Sequence, residues 1–79
     1  MKVPRNVDAN DLIVLLKRYG YDVVRQTGSH IRLTKNLYDG EHNLTVPNHK
    51  PIKIGTLQNI IKDVCFVNNL DVNELYHQL

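Results

Sequence analysis

Thr27-Gly28-Ser29-His30-Ile31-Arg32-Leu33-Thr34 holds a turn followed by a strand whose two faces differ in kind. Gly28-Ser29 marks a tight turn, since glycine enters backbone conformations that other residues avoid. From His30 the side chains alternate: His30, Arg32 and Thr34 fall on one face, Ile31 and Leu33 on the other. The apolar pair must face a core, which drives the histidine and the arginine to the open side. A strand with one apolar and one polar face belongs in an antiparallel sheet covered on one side only.

The flanking segments agree with that sheet. Tyr21 to Thr27 is rich in Val, Tyr and Thr and reads as a strand. Asn36 to Gly40 reads as a loop carrying the Asp39-Gly40 hairpin signal. His42 to Val46 alternates again, with Leu44 and Val46 inward and Asn43 and Thr45 outward, until Pro47 stops it. Residues 1–7 form a short lead-in to a first helix. Asp8 is its expected N-cap with Asp11 at N3, and Leu12, Leu15, Leu16 and Tyr19 make one apolar stripe. Lys17 and Arg18 load its last turn, and Gly20 stands where a left-handed residue commonly ends a helix. After a connector from Asn48 to Lys53, Gly55-Thr56 is expected to open a second helix striped by Leu57, Ile60, Ile61 and Val64. Asp71 and Glu74, then Leu75 and Leu79, predict a short third helix.

The expected architecture is α+β: an α-β-β-β-α order forming a three-stranded antiparallel sheet with both main helices on one face, plus a short C-terminal helix. At 79 residues this is a single domain over 1–79, its core spanning about 8–67 and a helical extension covering 70–79. With 42% hydrophobic and 23% charged residues the chain is of ordinary globular composition rather than disordered. A net charge of +2 permits a nucleic-acid partner without demanding one, so charge placement matters more than the sum. The single cysteine, Cys65, rules out an intramolecular disulfide and a multi-cysteine zinc site. No apolar run approaches the roughly 18 residues of a membrane span, and no signal-peptide core precedes the first helix. A cytoplasmic protein without membrane contact is expected.

Histidine is the side chain whose ordinary pKa lets it both take and give a proton near neutral pH. His30, delivered by a Gly-Ser turn among Arg25, Arg32 and Lys35, joins a proton shuttle to phosphate-binding cations, a combination suited to RNA cleavage. Lys50 and Lys53 extend the set of cations that bracket His30 along the chain. Each of these charges, taken singly, is equally an ordinary solvated side chain. Arg32, one strand repeat from His30, is the best placed to stabilise charge developing on phosphate. His49 is either a second acid-base group or a ring that orders the Pro47 to Pro51 turn through a backbone carbonyl. Gly55-Thr56 offers helix amides to a phosphate or simply makes a tight turn. His42 and His77 look incidental, and the histidines and acids lack metal-ligand spacing, so no metal or other cofactor is expected. Cys65 lies on or beside the second helix's apolar stripe and reads as a buried structural thiol.

Three segments carry a resemblance: Leu15-Leu16-Lys17-Arg18-Tyr19-Gly20-Tyr21; Val24-Arg25-Gln26-Thr27-Gly28-Ser29-His30; and Val46-Pro47-Asn48-His49 followed by Ile54-Gly55-Thr56-Leu57 and Ile60-Ile61-Lys62. In that order and spacing the chain resembles the HicA (YcfA-like) family of toxin-type mRNA interferases over roughly Asp11 to Val67. The resemblance implies a double-stranded-RNA-binding-domain-like fold and an endoribonuclease acting on mRNA. It implies that His30 matches the catalytic histidine of an Arg-Gln-x-Gly-Ser-His pattern, with Gln26 and Ser29 of that pattern joining the cations as RNA contacts. It also implies inhibition by a HicB-type antitoxin. Two features depart from the family: the segment after Val67 is longer than in short members, and Asp39 and Glu41 would repel phosphate if they faced the RNA. The alternatives are a non-catalytic RNA-binding module and a protein-binding adaptor that keeps the fold.

Overall fold

The computed structural model describes residues 3–79, so the first two residues of the expected lead-in lie outside the described part. The elements run α1 (Ala9–Arg18), β1 (Asp22–Thr27), β2 (His30–Leu37), β3 (Gly40–Pro47), α2 (Ile54–Asn68) and α3 (Val72–Tyr76). The strands form one antiparallel sheet in the order β1-β2-β3. This is the expected double-stranded-RNA-binding-domain-like arrangement with one added helix.

Both ends of α1 follow from its sequence. The Asp8 backbone N–H donates to Asp11 Oδ2 at 3.0 Å, fixing the first turn. At the other end Gly20 takes φ +95°, its N–H donates to the Lys17 carbonyl, and the Tyr21 N–H reaches back to Leu16. That pair of bonds is a Schellman motif, which turns the chain directly into the sheet. Tyr21 is consequently not the first strand residue but a fully buried hinge between α1 and β1.

The inward residues of the sheet are Ile31, Leu33, Leu44 and Val46, all buried. They meet Leu12, Leu15 and Leu16 of α1 and Leu57, Ile61 and Val64 of α2 in one cluster. Each such side chain taken from water contributes about 1.5–3 kcal/mol. All the apolar burial is on one side, so both long helices cover the same face and the opposite face stays open. β1 is an edge strand with every residue exposed. Its register against β2 slips between Val23 and Arg25, leaving Val24 as a bulge.

α2 begins at Ile54, one residue before the expected Gly55-Thr56 opening, with Lys53 as N-cap. Gly55 lies in that helix with an ordinary φ and nothing within 4 Å of an added Cβ, so no tight turn requires glycine there. Asn69 ends the helix in the left-handed region at φ +55°. α3 is capped by Asp71, whose side chain accepts from the Asn73 N–H at 2.9 Å. It returns Leu75 and Tyr76 to the core, so the C-terminal extension packs rather than projects. Cys65 is buried, and burial first, then Asp71 and Glu74, pushes its thiol pKa up.

Candidate active site

The open face of the sheet is organised by pairing. His30 lies opposite Thr27 on β1 and Pro47 on β3, and Arg32 lies opposite Arg25 and Thr45. Directly paired residues of an antiparallel sheet project to the same side. Together Arg25, Thr27, His30, Arg32 and Thr45 line an open hollow of about 210 Å³. The bulge at Val24 is what brings Arg25 there. Strict alternation from the inward Val23 would send Arg25 to the helix side; the extra residue returns it to the face of His30 and Arg32.

His30, Arg25 and Arg32 are exposed, and no carboxylate pairs with either arginine among the described residues. Two guanidinium groups directly across a strand pair repel one another. The hollow is therefore a cationic cup with a titratable ring on its rim. Its outline suits a phosphate group held by two guanidinium forks with an imidazole beside it.

Along the same face the charge changes sign. Beyond Arg32 come Thr34 and Asn43, joined by a 2.6 Å hydrogen bond from Thr34 Oγ1 to Asn43 Oδ1. Asn43 Nδ2 then donates to Glu41 at 3.3 Å, and Asp22 lies opposite Thr34 on β1. Glu41 is paired with Asn36, six residues along β2 from His30 and so about 20 Å away. Glu41 thus faces the open side but at its far end, and Asp39 lies in the hairpin beyond it.

The other expected site residues are dispersed. Ser29 is exposed in the turn, and its carbonyl accepts from the Asn48 N–H at 2.6 Å, which fastens the connector beside His30. Gln26 is exposed on β1 opposite Ile31, with the parity of the helix-covered side. His49 and Lys50 are exposed on the connector, outside the hollow. The His49 ring makes no hydrogen bond among the described residues. Its main chain orders the turn instead, donating to Pro47 at 2.9 Å and accepting from Ala9 at 3.3 Å. Lys53 stands at the head of α2, beside a second hollow with Arg5. Lys35 is not brought to the site. It shares the parity of Ile31 and Leu33, and on the helix side its ammonium donates to Asn68 Oδ1 and lies 5.8 Å from the Tyr21 ring centroid.

His42 likewise takes the parity of the inward Leu44 and Val46, a signal that spacing alone carried, and is a node of a polar chain. Tyr21 Oη lies 2.5 Å from His42 Nδ1, and His42 Nε2 lies 3.0 Å from Asp63 Oδ2. Asn68 Nδ2 donates to Tyr21 Oη at 3.0 Å and to the Val64 carbonyl at 2.8 Å. With Nε2 protonated, each link of the chain from Lys35 through Asn68, Tyr21 and His42 to Asp63 joins a donor to an acceptor. Burial raises the Tyr21 pKa, with Asn68 opposing and Asp63 and Cys65 adding to the rise. This chain ties α2 to the sheet at the end opposite His30. Among the described residues no group of three or more His, Cys, Asp or Glu side chains could hold a metal ion, and no helix is long and apolar enough to cross a membrane.

The sequence model of one family, described as the HicA toxin of bacterial toxin-antitoxin, matches residues 9–64, from the start of α1 into α2. No curated protein and no solved structure matches the chain.

Proposed function

The chain belongs to the HicA family of toxins from bacterial toxin–antitoxin systems, and on that premise we propose that it is an endoribonuclease acting on mRNA without a metal, with His30 as general base. The observation that carries this reading is the pair of arginines facing one another beside an exposed histidine, with no acid paired to them among the described residues. A phosphodiester in the cup would take the two guanidinium groups on its non-bridging oxygens. The unprotonated His30 ring then removes the proton from the neighbouring ribose 2′-OH. The freed oxygen bonds to phosphorus, the bond to the 5′-oxygen breaks, and a proton from solvent or from a protonated imidazole completes the 5′-OH. The products are a 2′,3′-cyclic phosphate and a 5′-hydroxyl end. Arg32 and Arg25 stabilise the charge that builds on the pentacoordinate phosphorus. Ser29 borders the same turn and contributes a hydroxyl to the RNA backbone. His49 serves as a second acid-base group only if the bound RNA bridges the distance to the connector.

A HicB-type antitoxin would inhibit by covering the open face and His30, and the toxin would act in the cytoplasm, where mRNA is translated. The test compares the protein with its His30→Ala variant on labelled RNA in the presence of EDTA. The expected loss of cleavage is about 10²–10⁴-fold, the usual contribution of a positioned proton acceptor, with RNA binding retained. Equal cleavage by both proteins would refute His30 as base. Binding with no cleavage by either would make the protein a non-catalytic RNA-binding module.

A further inference from the structure

Resting on that reading, we propose that the hollow between the Arg5-Asn6 turn and the head of α2 holds one unstacked base of a single-stranded RNA whose scissile phosphate lies at Arg25 and Arg32. The hollow measures about 280 Å³ and is lined by Arg5, Asn6, Pro51, Ile52, Lys53 and Ile54. Its floor is apolar: Ile52 is buried, whereas Ile54 is 37% exposed at the first helical position. Its rim is cationic, because Arg5 and Lys53 are exposed and have no acidic partner among the described residues. The first turn of α2 carries neither an acidic residue nor a side-chain cap, so its free amides add positive potential beside the rim. An apolar floor with a cationic rim fits a flat base flanked by phosphates. Asn6, held in the left-handed region at φ +59°, supplies a carboxamide with both donor and acceptor for the base edge.

The path to this hollow follows from the charge on the sheet. A polyanion held at Arg25 and Arg32 meets Asp22 and Glu41 if it continues along the open face. In the other direction it crosses the Gly28-Ser29 turn and meets the connector, fastened there by the Asn48–Ser29 hydrogen bond and by Ile52 N–H to the Val7 carbonyl at 2.8 Å. Lys50, Lys53 and Arg5 are the cations met next. The six residues from Asn48 to Lys53, five steps of the chain, span at most about 18 Å, within reach of a short run of extended strand. Only an unstacked base can lie on Ile54, so this route selects single-stranded RNA over duplex.

The experiment measures fluorescence anisotropy of a labelled single-stranded RNA oligonucleotide on the non-cleaving His30→Ala protein, across a salt series. Two variants are added to that background: Arg5→Ala with Lys53→Ala, and Ile54→Asp, whose carboxylate suits the first turn of a helix and so spares the fold. The double variant is expected to bind about tenfold more weakly, with the slope of log K against log salt shallower by about 1.4, the loss of two single-strand phosphate contacts. Ile54→Asp is expected to weaken single-stranded binding by about tenfold and duplex binding by less. Unchanged single-stranded affinity in both variants, or no single-stranded binding by the parent, would overturn the proposal. So would equal losses on single strand and duplex. If the protein with His30 intact fails to cleave while the variants still lose single-stranded affinity, the nuclease reading fails and the base site stands.

Discussion

Arg25 and Arg32 face each other across β1 and β2 with no carboxylate paired to either among the described residues, which at the scale of single residues is a cost the fold carries for nothing inside the protein. Like charges directly opposite on a sheet destabilise by a few tenths to about 1 kcal/mol. Replacing either arginine by glutamine is therefore expected to leave stability unchanged or raise it by up to about that amount, in urea denaturation. The same change should lower RNA affinity and reduce the salt slope by about 0.7 per arginine. A variant that lost stability would show the arginine to be a structural group. The alternation from His30 to Thr34 made His30 and Arg32 legible, because a period of two admits only one inward set. Arg25 was not legible in the same way. Its side depends on a bulge at Val24, and nothing in Val23-Val24 announces which of two valines the ladder will skip. Lys35 and His42 fall on the helix side by the same parity rule that placed His30, yet their charge and polarity argued for solvent. Partners on α2, Asn68 and Asp63, resolve that conflict, and a linear sequence does not show them side by side.

Among the elements, α2 is the one whose attachment the hydrophobic stripe explains only in part. Its inner face packs on β3 through Leu57, Ile61 and Val64, but its last turns are fastened by Tyr21, His42, Asp63 and Asn68. Tyr21→Phe keeps the ring and deletes the hydroxyl, leaving Asn68 Nδ2 and His42 Nδ1 each short of a partner. The expected cost is about 1–3 kcal/mol, read as a lower urea midpoint at neutral pH, with cleavage by the folded protein unchanged because the network lies at the end remote from His30. The same residue sets an alkaline limit. Burial raises the Tyr21 pKa above its ordinary 10.0, so as pH climbs the unfolded phenol loses its proton before the folded one does. Stability is thus full below about pH 10 and is lost as pH rises through the folded value. Cys65, raised from 9.0 mainly by burial, starts the same loss about one unit lower. Urea midpoints for the protein and for Cys65→Ala, measured from about pH 8 to about pH 10.5, should diverge in slope, the variant losing less stability with rising pH. Parallel curves would mean that the thiol is not held in its neutral form by the fold.

For the molecule as a whole, the family match ends at residue 64, inside α2, yet the hydrophobic core does not. Leu75 is fully buried and Tyr76 nearly so, while Gln78 accepts from Arg18 at 3.1 Å and donates to the Tyr19 hydroxyl at 2.7 Å. The C-terminal segment thus closes the end of α1 and part of α2, packing on the core beyond the residues that the family model matches. A chain of 79 residues has a total stability of about 4–12 kcal/mol at the usual 0.05–0.15 kcal/mol per residue. Leu75→Ala removes a fully buried leucine at about 2–5 kcal/mol, a large share of that total. Ending the chain at Asn69 removes Leu75, Tyr76 and the Gln78 clamp together, and this truncated protein is expected to lose its cooperative thermal transition. Leu75→Ala should keep the transition at a lower midpoint and, well below it, cleave RNA as the parent does. The open face is built from β1, β2 and β3 alone, so a Leu75→Ala protein that stays folded but loses cleavage would show that the site is not separate from the core. Truncation with no effect on the thermal midpoint would show that the segment lies on the surface as an appendage.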